Sequence, residues 1–214
     1  MNGLTGKLYH ASEFIMNMAY LNILWIGSTL LGGIVFGWAP STVALFTVIR
    51  KWIMKDANLS IYRTYKEAYK KEFLKANGLG LIMAAVGLIL TINIQYFVNQ
   101  VGILFFTLKF FTFFIVIIYL ATALILFPLY VQYELPFFQY LNKAVMIGFV
   151  KPIWTLILIA GFFVTSFILL TLPGFIPFFG VSLCSYILMA IAFQTFHSFE
   201  KSMKSAEHFI EHSV

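Results

Sequence analysis

Five long runs of apolar residues alternate along the chain with shorter segments that contain most of its charged side chains. The runs cover residues 14–36, 78–98, 104–130, 152–172 and 176–197. At a helical rise of about 1.5 Å per residue, each run is long enough to cross the ~30 Å hydrocarbon core of a bilayer. Backbone N–H and C=O groups in hydrocarbon must pair within their own segment, so each run is predicted to be a helix. The pattern therefore predicts an all-α, polytopic membrane protein, with five transmembrane helices in a single domain over residues 1–214.

The composition supports a membrane location. Hydrophobic residues make up 61% of the 214 positions, and charged residues make up only 10%. A soluble domain usually has about 25% charged residues, because it needs a polar shell. This chain cannot cover its apolar surface with charge, so lipid is its expected solvent.

Basic residues are distributed unevenly among the connecting segments. Twelve of the 14 Lys and Arg residues follow the first, third or fifth run, and eight of these lie in residues 50–75. The segments on the opposite side have only Lys7 and Lys109. By the positive-inside rule, the amino terminus is predicted to lie outside and the carboxyl terminus in the cytoplasm. The basic side is expected to contact the anionic inner leaflet, and nothing in the pattern indicates a nucleic-acid partner.

Residues 40–77 form the one sizeable segment outside the five runs. Pro40 can open a helix, because a first helical position needs no N–H donor. The apolar stretch 41–49 is too short to cross the bilayer. Residues 37–57 are therefore predicted to lie at the membrane interface, and a re-entrant turn is the alternative.

An amphipathic cytoplasmic helix is predicted in the second half of this segment, with Ser60 as a plausible N-cap. Its aromatic side chains recur at helical spacings of three and four, on a face mostly separate from the basic residues. They are Tyr62, Tyr65, Tyr69 and Phe73. Such a helix either lies flat on the inner leaflet or docks on a cytoplasmic partner through its aromatic stripe.

Polar side chains inside the runs allow two interpretations. Asn22, followed by the small residues Ser28 and Gly32, indicates close helix packing with hydrogen bonds across it, in preference to a substrate path. Asn93 and Gln95 lie near the outer end of the second run. They are predicted to mark its exit into the headgroups, and a polar vestibule that contacts sugar hydroxyls is the alternative.

Glu134 is an acidic residue beside the cytoplasmic end of the third run. Arg50, Lys51 and Lys151 are expected at a similar depth. An ion pair between Glu134 and one of them would tie the third span to its neighbours. The alternative is a solvated carboxylate.

Motifs for chemistry are missing from the sequence. It contains no phosphate-binding loop, no nucleophile elbow and no zinc-binding spacing. His208 and His212 are four residues apart on a possible tail helix, but without further ligands they are expected to be solvent-exposed. The chain is therefore predicted not to be an enzyme and to have no catalytic residue, metal site or cofactor.

Four separated motifs carry a family resemblance. They read FGWAPSTVALFTVIRKWIMKD from Phe36, YKKEFLKANGLGLI from Tyr69, LFPLYVQYELPFFQYLNKAV from Leu126 and LPGFIPFFGVSL from Leu172. In this order they resemble the YesL-like family, also called domain of unknown function 624. The matching positions are Pro40, Ala44, Phe46, Arg50, Lys51, Trp52, Phe73, Lys75, Asn77, Pro128, Glu134, Pro173 and Pro177. Trp38 and the pair Lys55–Asp56 depart from the family pattern.

The resemblance implies a small multi-pass protein of the bacterial cytoplasmic membrane, of a kind often encoded near carbohydrate ABC importers, with no catalytic residues to carry over. The expected function is a non-enzymatic accessory role in carbohydrate uptake, in which the protein docks on ABC sugar importer subunits or a membrane sensor. The alternative is a small homo-oligomeric transporter or channel for a polar solute. The scarcity of charged residues within the spans counts against that alternative.

Overall fold

The computed structural model describes residues 4–56 and 59–212. These residues form seven α-helices and one 3-10 turn, Pro173–Phe175, and they contain no strand. The helices are α1 Leu4–Leu31, α2 Trp38–Ile53, α3 Ile61–Val98, α4 Ile103–Gln132, α5 Phe137–Val150, α6 Pro152–Thr171 and α7 Ile176–His212. Five of them, α1, α3, α4, α6 and α7, are long and apolar enough to cross a membrane. The predicted all-α membrane fold is confirmed at this level.

The chain divides into two compact units. The first unit contains Met1–Leu74 and Ala160–Ala190, and the second contains Lys75–Ile159 and Ile191–Val214.

In the first unit, α1 and α2 form a tight antiparallel hairpin. The apolar pattern predicts a span that ends at residue 36, but α1 ends at Leu31 because Gly33 and Ile34 both take positive φ angles, 71° and 64°. A side chain at Gly37 would overlap the backbone of Thr29, and one at Gly32 would overlap Gly37. Glycine at these two positions is therefore required for the turn.

The helix α2 runs back along α1 and is enclosed by protein. The indole Nε1 of Trp25 donates to Thr42 Oγ1 at 3.1 Å, and the rings of Phe14 and Trp52 lie 5.3 Å apart. Residues on all sides of α2 are buried, including Pro40. A helix that lies by itself on a membrane surface would keep one face exposed, which α2 does not. The placement of residues 37–57 at the interface, with a re-entrant turn as the alternative, stays a prediction.

The helix α7 also packs antiparallel to α1. Asn22 donates a hydrogen bond to Pro177 O near the start of α7. Further along α7, the ring of Tyr186 lies 5.2 Å from the ring of Phe14. In five alternating crossings the first and fifth helices would run in the same direction. The antiparallel packing of α7 on α1 therefore differs from what five alternating crossings predict.

In the second unit, α4 and α5 form another hairpin of a long and a short helix. The rings of Tyr130 and Tyr140 lie 4.7 Å apart, and Gly148 lies beside Ala121. The Tyr140 hydroxyl donates to Tyr133 O at 3.0 Å and closes the connecting turn.

The helix α3 is continuous from Ile61 to Val98. The sequence pattern separates a surface helix in residues 40–77 from a span over 78–98, whereas the structure joins the last part of that segment to the span. The position of its first turns on the inner leaflet stays a prediction, as does the sidedness of the chain.

The cytoplasmic placement of the basic segments can be tested by labelling. In a Cys184→Ser background, we expect single cysteines at Ser60 and Lys201 to react with a membrane-impermeant maleimide only after the cells are permeabilised. A cysteine at Gln100, in the α3–α4 turn, is expected to react in intact cells. Labelling of the Ser60 variant in intact cells would contradict the predicted sidedness.

Candidate functional site

The first polar site is the side-chain amide of Asn22, which is 1% exposed in the middle of α1. Its Nδ2 donates to Pro177 O at 2.7 Å and Ile176 O at 3.3 Å. Its Oδ1 accepts from the backbone N–H groups of Val181 at 2.9 Å and Ser182 at 3.1 Å. An Asn side chain has two donors and two acceptor positions, and all four are used here.

These four bonds hold the beginning of α7 on α1. The amide bonds both Pro177 O and Val181 N, which are partners four residues apart in an uninterrupted helix. An unpaired polar group in hydrocarbon costs several kcal/mol, so this full pairing makes Asn22 a strong attachment point. The predicted packing role of Asn22 is confirmed, and no hydrogen-bonding capacity is left for a solute.

The second polar site is a hydroxyl cluster, defined as Ser28, Ser41, Tyr65 and Tyr69. The Ser28 hydroxyl lies 2.7 Å from Ser41 Oγ and 2.6 Å from the Tyr65 hydroxyl. The Tyr69 hydroxyl donates to Ser28 O at 3.1 Å. Ser41 is fully buried and Tyr65 is 4% exposed, so the cluster joins α1, α2 and the first turns of α3 inside the first unit.

The predicted aromatic docking stripe is therefore divided. Tyr65 and Tyr69 face the interior, and the Phe73 ring lies 5.6 Å from that of Tyr69. Tyr62 is 53% exposed, with Lys66 Nζ 5.7 Å from its ring centroid. The prediction that these four residues form one partner surface is wrong. The hydroxyls of Tyr65 and Tyr69 pack against Ser28 inside the protein, so these two side chains do not face a partner. The hydroxyls in the first run and α2 were the signal that sequence reasoning missed.

The family-motif residues of α2 have packing roles. The Trp52 ring lies between Phe14, at 5.3 Å, and Tyr186, at 6.1 Å. Arg50 and Lys51 lie in the last turn of α2, where positive charge is favourable next to the exposed carbonyl groups of a helix end.

The other family-motif residues also have structural positions. Asn77 is buried in α3, and Pro128 is buried within α4. Pro173 opens the 3-10 turn, and Pro177 lies in the first turn of α7, where a missing N–H is tolerated. Asn77 and Pro128 belong to the second unit, and Pro173 and Pro177 belong to the first.

The acidic residue that joins elements at the end of α4 is Glu200, not Glu134. Glu134 is exposed and has no ion-pair partner among the described residues of the second unit. The hydroxyl of the adjacent Tyr133 donates to Glu200 Oε1 at 2.5 Å, and its ring lies 5.6 Å from that of Phe196. The predicted ion pair of Glu134 with Lys151 is absent from the second unit. After the end of α4, the side chain of Tyr133 faces α7 and that of Glu134 is exposed.

The contacts of the amides near the end of α3 leave the vestibule alternative untested. Asn93 Nδ2 donates to Ile89 O of its own helix at 2.8 Å, and the side chain of Gln95 is exposed. Lys109 Nζ donates to Val98 O at 3.1 Å and Gln100 O at 3.0 Å, so it caps the free carbonyl groups at this helix end. The headgroup-exit interpretation stays a prediction.

Metal-binding geometry is absent from the part of the chain that the structure describes, because no three His, Cys, Asp or Glu residues converge there. The side chains of His208 and His212, the one candidate pair in the sequence, lie outside the described residues.

Comparison with known proteins identifies relatives over nearly the full length. Residues 18–94 match the model of the family described as protein of unknown function, DUF624. The uncharacterized protein YesV of Bacillus subtilis (strain 168) is 40% identical over 196 residues, which cover 92% of this chain and 94% of the relative. The uncharacterized proteins YteU and YesL of the same organism are 35% and 30% identical, over 90% and 94% of this chain and 86% and 95% of their own lengths. No solved structure matches the chain.

The contact between Tyr133 and Glu200 predicts a dependence of stability on alkaline pH. Burial raises the pKa of Tyr133 above its usual range, and the Glu200 carboxylate raises it further. The unfolded chain would release this proton near pH 10, whereas the folded chain retains it, so stability is lost as the pH rises above about 10. In detergent, we expect the Tm of the wild type to fall more steeply above about pH 9.5 than that of Tyr133→Phe. Tyr9→Phe, at an exposed position, is the control, and equal slopes for the wild type and Tyr133→Phe would contradict the prediction.

Proposed function

This chain belongs to the DUF624, or YesL-like, family, and from that premise we propose that it is a non-enzymatic accessory protein of carbohydrate uptake. It docks on an ABC sugar importer or a membrane sensor in the bacterial cytoplasmic membrane. The carbohydrate context comes from the family resemblance. The docking surface is proposed from the exposed basic side chains of α3.

The docking surface is the basic face of α3, defined as Arg63, Lys66, Lys70 and Lys71, all of which are exposed. These residues lie within about 140° of one another around the helix, at 3.6 residues per turn. Leu74, on the same face, is 85% exposed. The opposite face is held on α1 and α2 by the hydroxyl cluster, so the basic face points away from the interior of its unit.

This exposed basic face is the observation that carries the proposal. Glu67 lies on the same face and pairs with Arg63 at 2.9 Å, so Lys66, Lys70 and Lys71 supply its net positive charge. Cations beside an exposed leucine suit a partner surface that has carboxylates next to an apolar pocket. Exposed charges of this kind mainly accelerate association and select the partner, and their effect falls as salt screens them. The partner is therefore expected to present an acidic cytoplasmic surface.

The buried polar groups support a docking role over chemistry on a substrate. Asn22 uses all four of its hydrogen-bonding positions on α7, and the hydroxyl cluster is closed between three helices. Groups that act on a substrate need free capacity that faces an accessible cavity. Asn22 and the hydroxyl cluster therefore stabilise the fold. The part of the first unit that we propose to be functional is its exposed surface, the basic face of α3.

The test is a pull-down of the tagged protein from native membranes, followed by mass spectrometry. We expect the wild type to recover importer or sensor subunits, and we expect Lys66→Glu combined with Lys70→Glu to reduce that recovery about tenfold, because reversed charges repel an acidic partner. Raising the salt concentration should weaken recovery by the wild type in the same direction.

The matched control is Lys201→Glu, a charge reversal at an exposed position of α7. It is expected to leave recovery unchanged, and all variants should keep the wild-type Tm. Equal recovery by the double variant would exclude the basic face as the docking surface. Sugar flux into liposomes that contain only the purified protein would favour the transporter alternative instead.

A further inference from the structure

Two connecting turns of the first unit contain only apolar residues. The α1–α2 turn, residues 30–37, and the α6–α7 turn, residues 172–180, contain no charged or hydrogen-bonding side chain. Because α7 packs antiparallel to α1, both turns lie at the same end of the unit, and we refer to them together as the apolar end. Turns that face water usually contain Asn, Asp or Ser. The exposed side chains of the apolar end include Leu31, Ile34, Phe36, Leu172, Phe175 and Phe178.

The backbone of the α1–α2 turn is paired within the turn. The Ile34 N–H donates to Thr29 O at 2.9 Å, which closes the carboxyl end of α1. Ile34 O accepts from the N–H groups of Gly37 and Trp38 at 3.2 Å and 3.1 Å. Irregular backbone is excluded from hydrocarbon because its polar groups lack partners there. Internal pairing removes that obstacle for this turn.

The α6–α7 turn also has few polar groups that need a partner. Pro173 and Pro177 have no N–H, and the N–H of Phe175 donates to Leu172 O at 2.9 Å. The carbonyl group of Pro177 accepts from Asn22 Nδ2 at 2.7 Å. This turn therefore satisfies the same condition for a place in hydrocarbon as the α1–α2 turn does.

The residue at the centre of the α1–α2 turn has a strained backbone. Ile34 has a φ of 64°, in the left-handed region that a β-branched residue rarely adopts. Glycine and asparagine are the usual residues in this conformation. Asparagine would add a side-chain amide to the apolar end, whereas isoleucine adds apolar surface. An apolar side chain at a strained position fits hydrocarbon surroundings and not water.

The α1–α2 hairpin has a charged end opposite its apolar end. The ring contact of Phe14 with Trp52, at 5.3 Å, brings the exposed Glu13 close to the end of α2, where Lys55 and Asp56 are also exposed. The 16 residues of α2 measure about 24 Å, less than the ~30 Å hydrocarbon core. A hairpin whose charged end lies at a membrane surface therefore ends within the core, and a tilt makes it end less deep.

The α6–α7 turn lies at a smaller distance from the charged end. The ring of Tyr186 lies 5.2 Å from that of Phe14, and α7 begins at Ile176, about 15 Å nearer the apolar end. No Lys, Arg, Asp or Glu occurs in residues 152–199. No charge in α6 or in this part of α7 therefore favours a position of the turn in water.

We propose that lipid acyl chains cover the apolar end, so that the α1–α2 and α6–α7 turns lie in the hydrocarbon core and not in water. For the α1–α2 turn this is a re-entrant arrangement. A second copy of the chain or another membrane protein would cover the same side chains, but neither would require the turns to pair their own backbone groups. The proposal does not depend on the docking role of α3.

The experiment is spin labelling of the full-length protein in liposomes of phosphatidylethanolamine and phosphatidylglycerol. In a Cys184→Ser background, the nitroxide is attached in Val35→Cys or Gly174→Cys, because Val35 is exposed and an added side chain at Gly174 meets nothing within 4 Å. Collisions are measured with O₂, which concentrates in hydrocarbon, and with a polar nickel chelate present on both sides of the membrane. We expect the ratio of O₂ to nickel collisions to be about tenfold higher at both positions than in the controls Gln100→Cys and Lys201→Cys, because hydrocarbon excludes the polar chelate.

Each variant should keep the wild-type Tm. Phe36→Cys replaces Val35→Cys, and Leu172→Cys replaces Gly174→Cys, if the first choice lowers the Tm. Collision ratios equal to those of the controls would place the turns in water and overturn the proposal. Low collision rates with both reagents would also overturn it, because protein would then cover the apolar end. Spectral broadening between labels would identify that protein as a second copy.

Discussion

The pairing of buried polar groups is the constraint on which the first unit depends. In an apolar environment a hydrogen-bonding group is stable only with a partner, and the two polar sites inside the unit satisfy this rule differently. Asn22 bonds the backbone of α7 at four points, and Ser28 bonds side chains from α2 and α3. Both residues are on α1, so one helix determines the position of three others.

Close packing at small residues is the second constraint. Helices surrounded by lipid gain little from burying apolar area against one another, so contact depends on short distances between backbones. Gly32 and Gly37 allow the α1–α2 turn, and Gly148 lies against Ala121 in the α4–α5 hairpin. Each unit therefore contains a long helix with a short helix packed back on it. The first hairpin supports the basic face of α3, and the second lines an apolar groove together with α6.

The spans could be predicted from the sequence because an apolar run of about 20 residues has few alternatives. The placement of α2 could not, since 12 nearly continuous apolar residues, 38–49, fit an interfacial helix as well as an enclosed one. The partners of Asn22 lie more than 150 residues away, so spacing alone could not reveal them. The spacing of the aromatic residues correctly predicts a stripe on one face of a helix. A stripe that packs inward has the same spacing as one that contacts a partner, so the sequence does not distinguish the two. The bond from Tyr133 to Glu200 joins residues 67 positions apart, so the sequence does not indicate it.

The most direct test of this account is the free energy that the Asn22 amide contributes to the fold. Replacing Asn22 with leucine keeps the size of the side chain and removes its hydrogen bonds, which should destabilise the protein by about 2 kcal/mol and lower its Tm in detergent by about 4–8 °C. Asn17→Leu, a partly exposed asparagine on the same helix, is the control and should change the Tm by much less. An Asn22→Leu variant with the Tm of the Asn17→Leu control would contradict the claim that buried hydrogen bonding from α1 holds the first unit together.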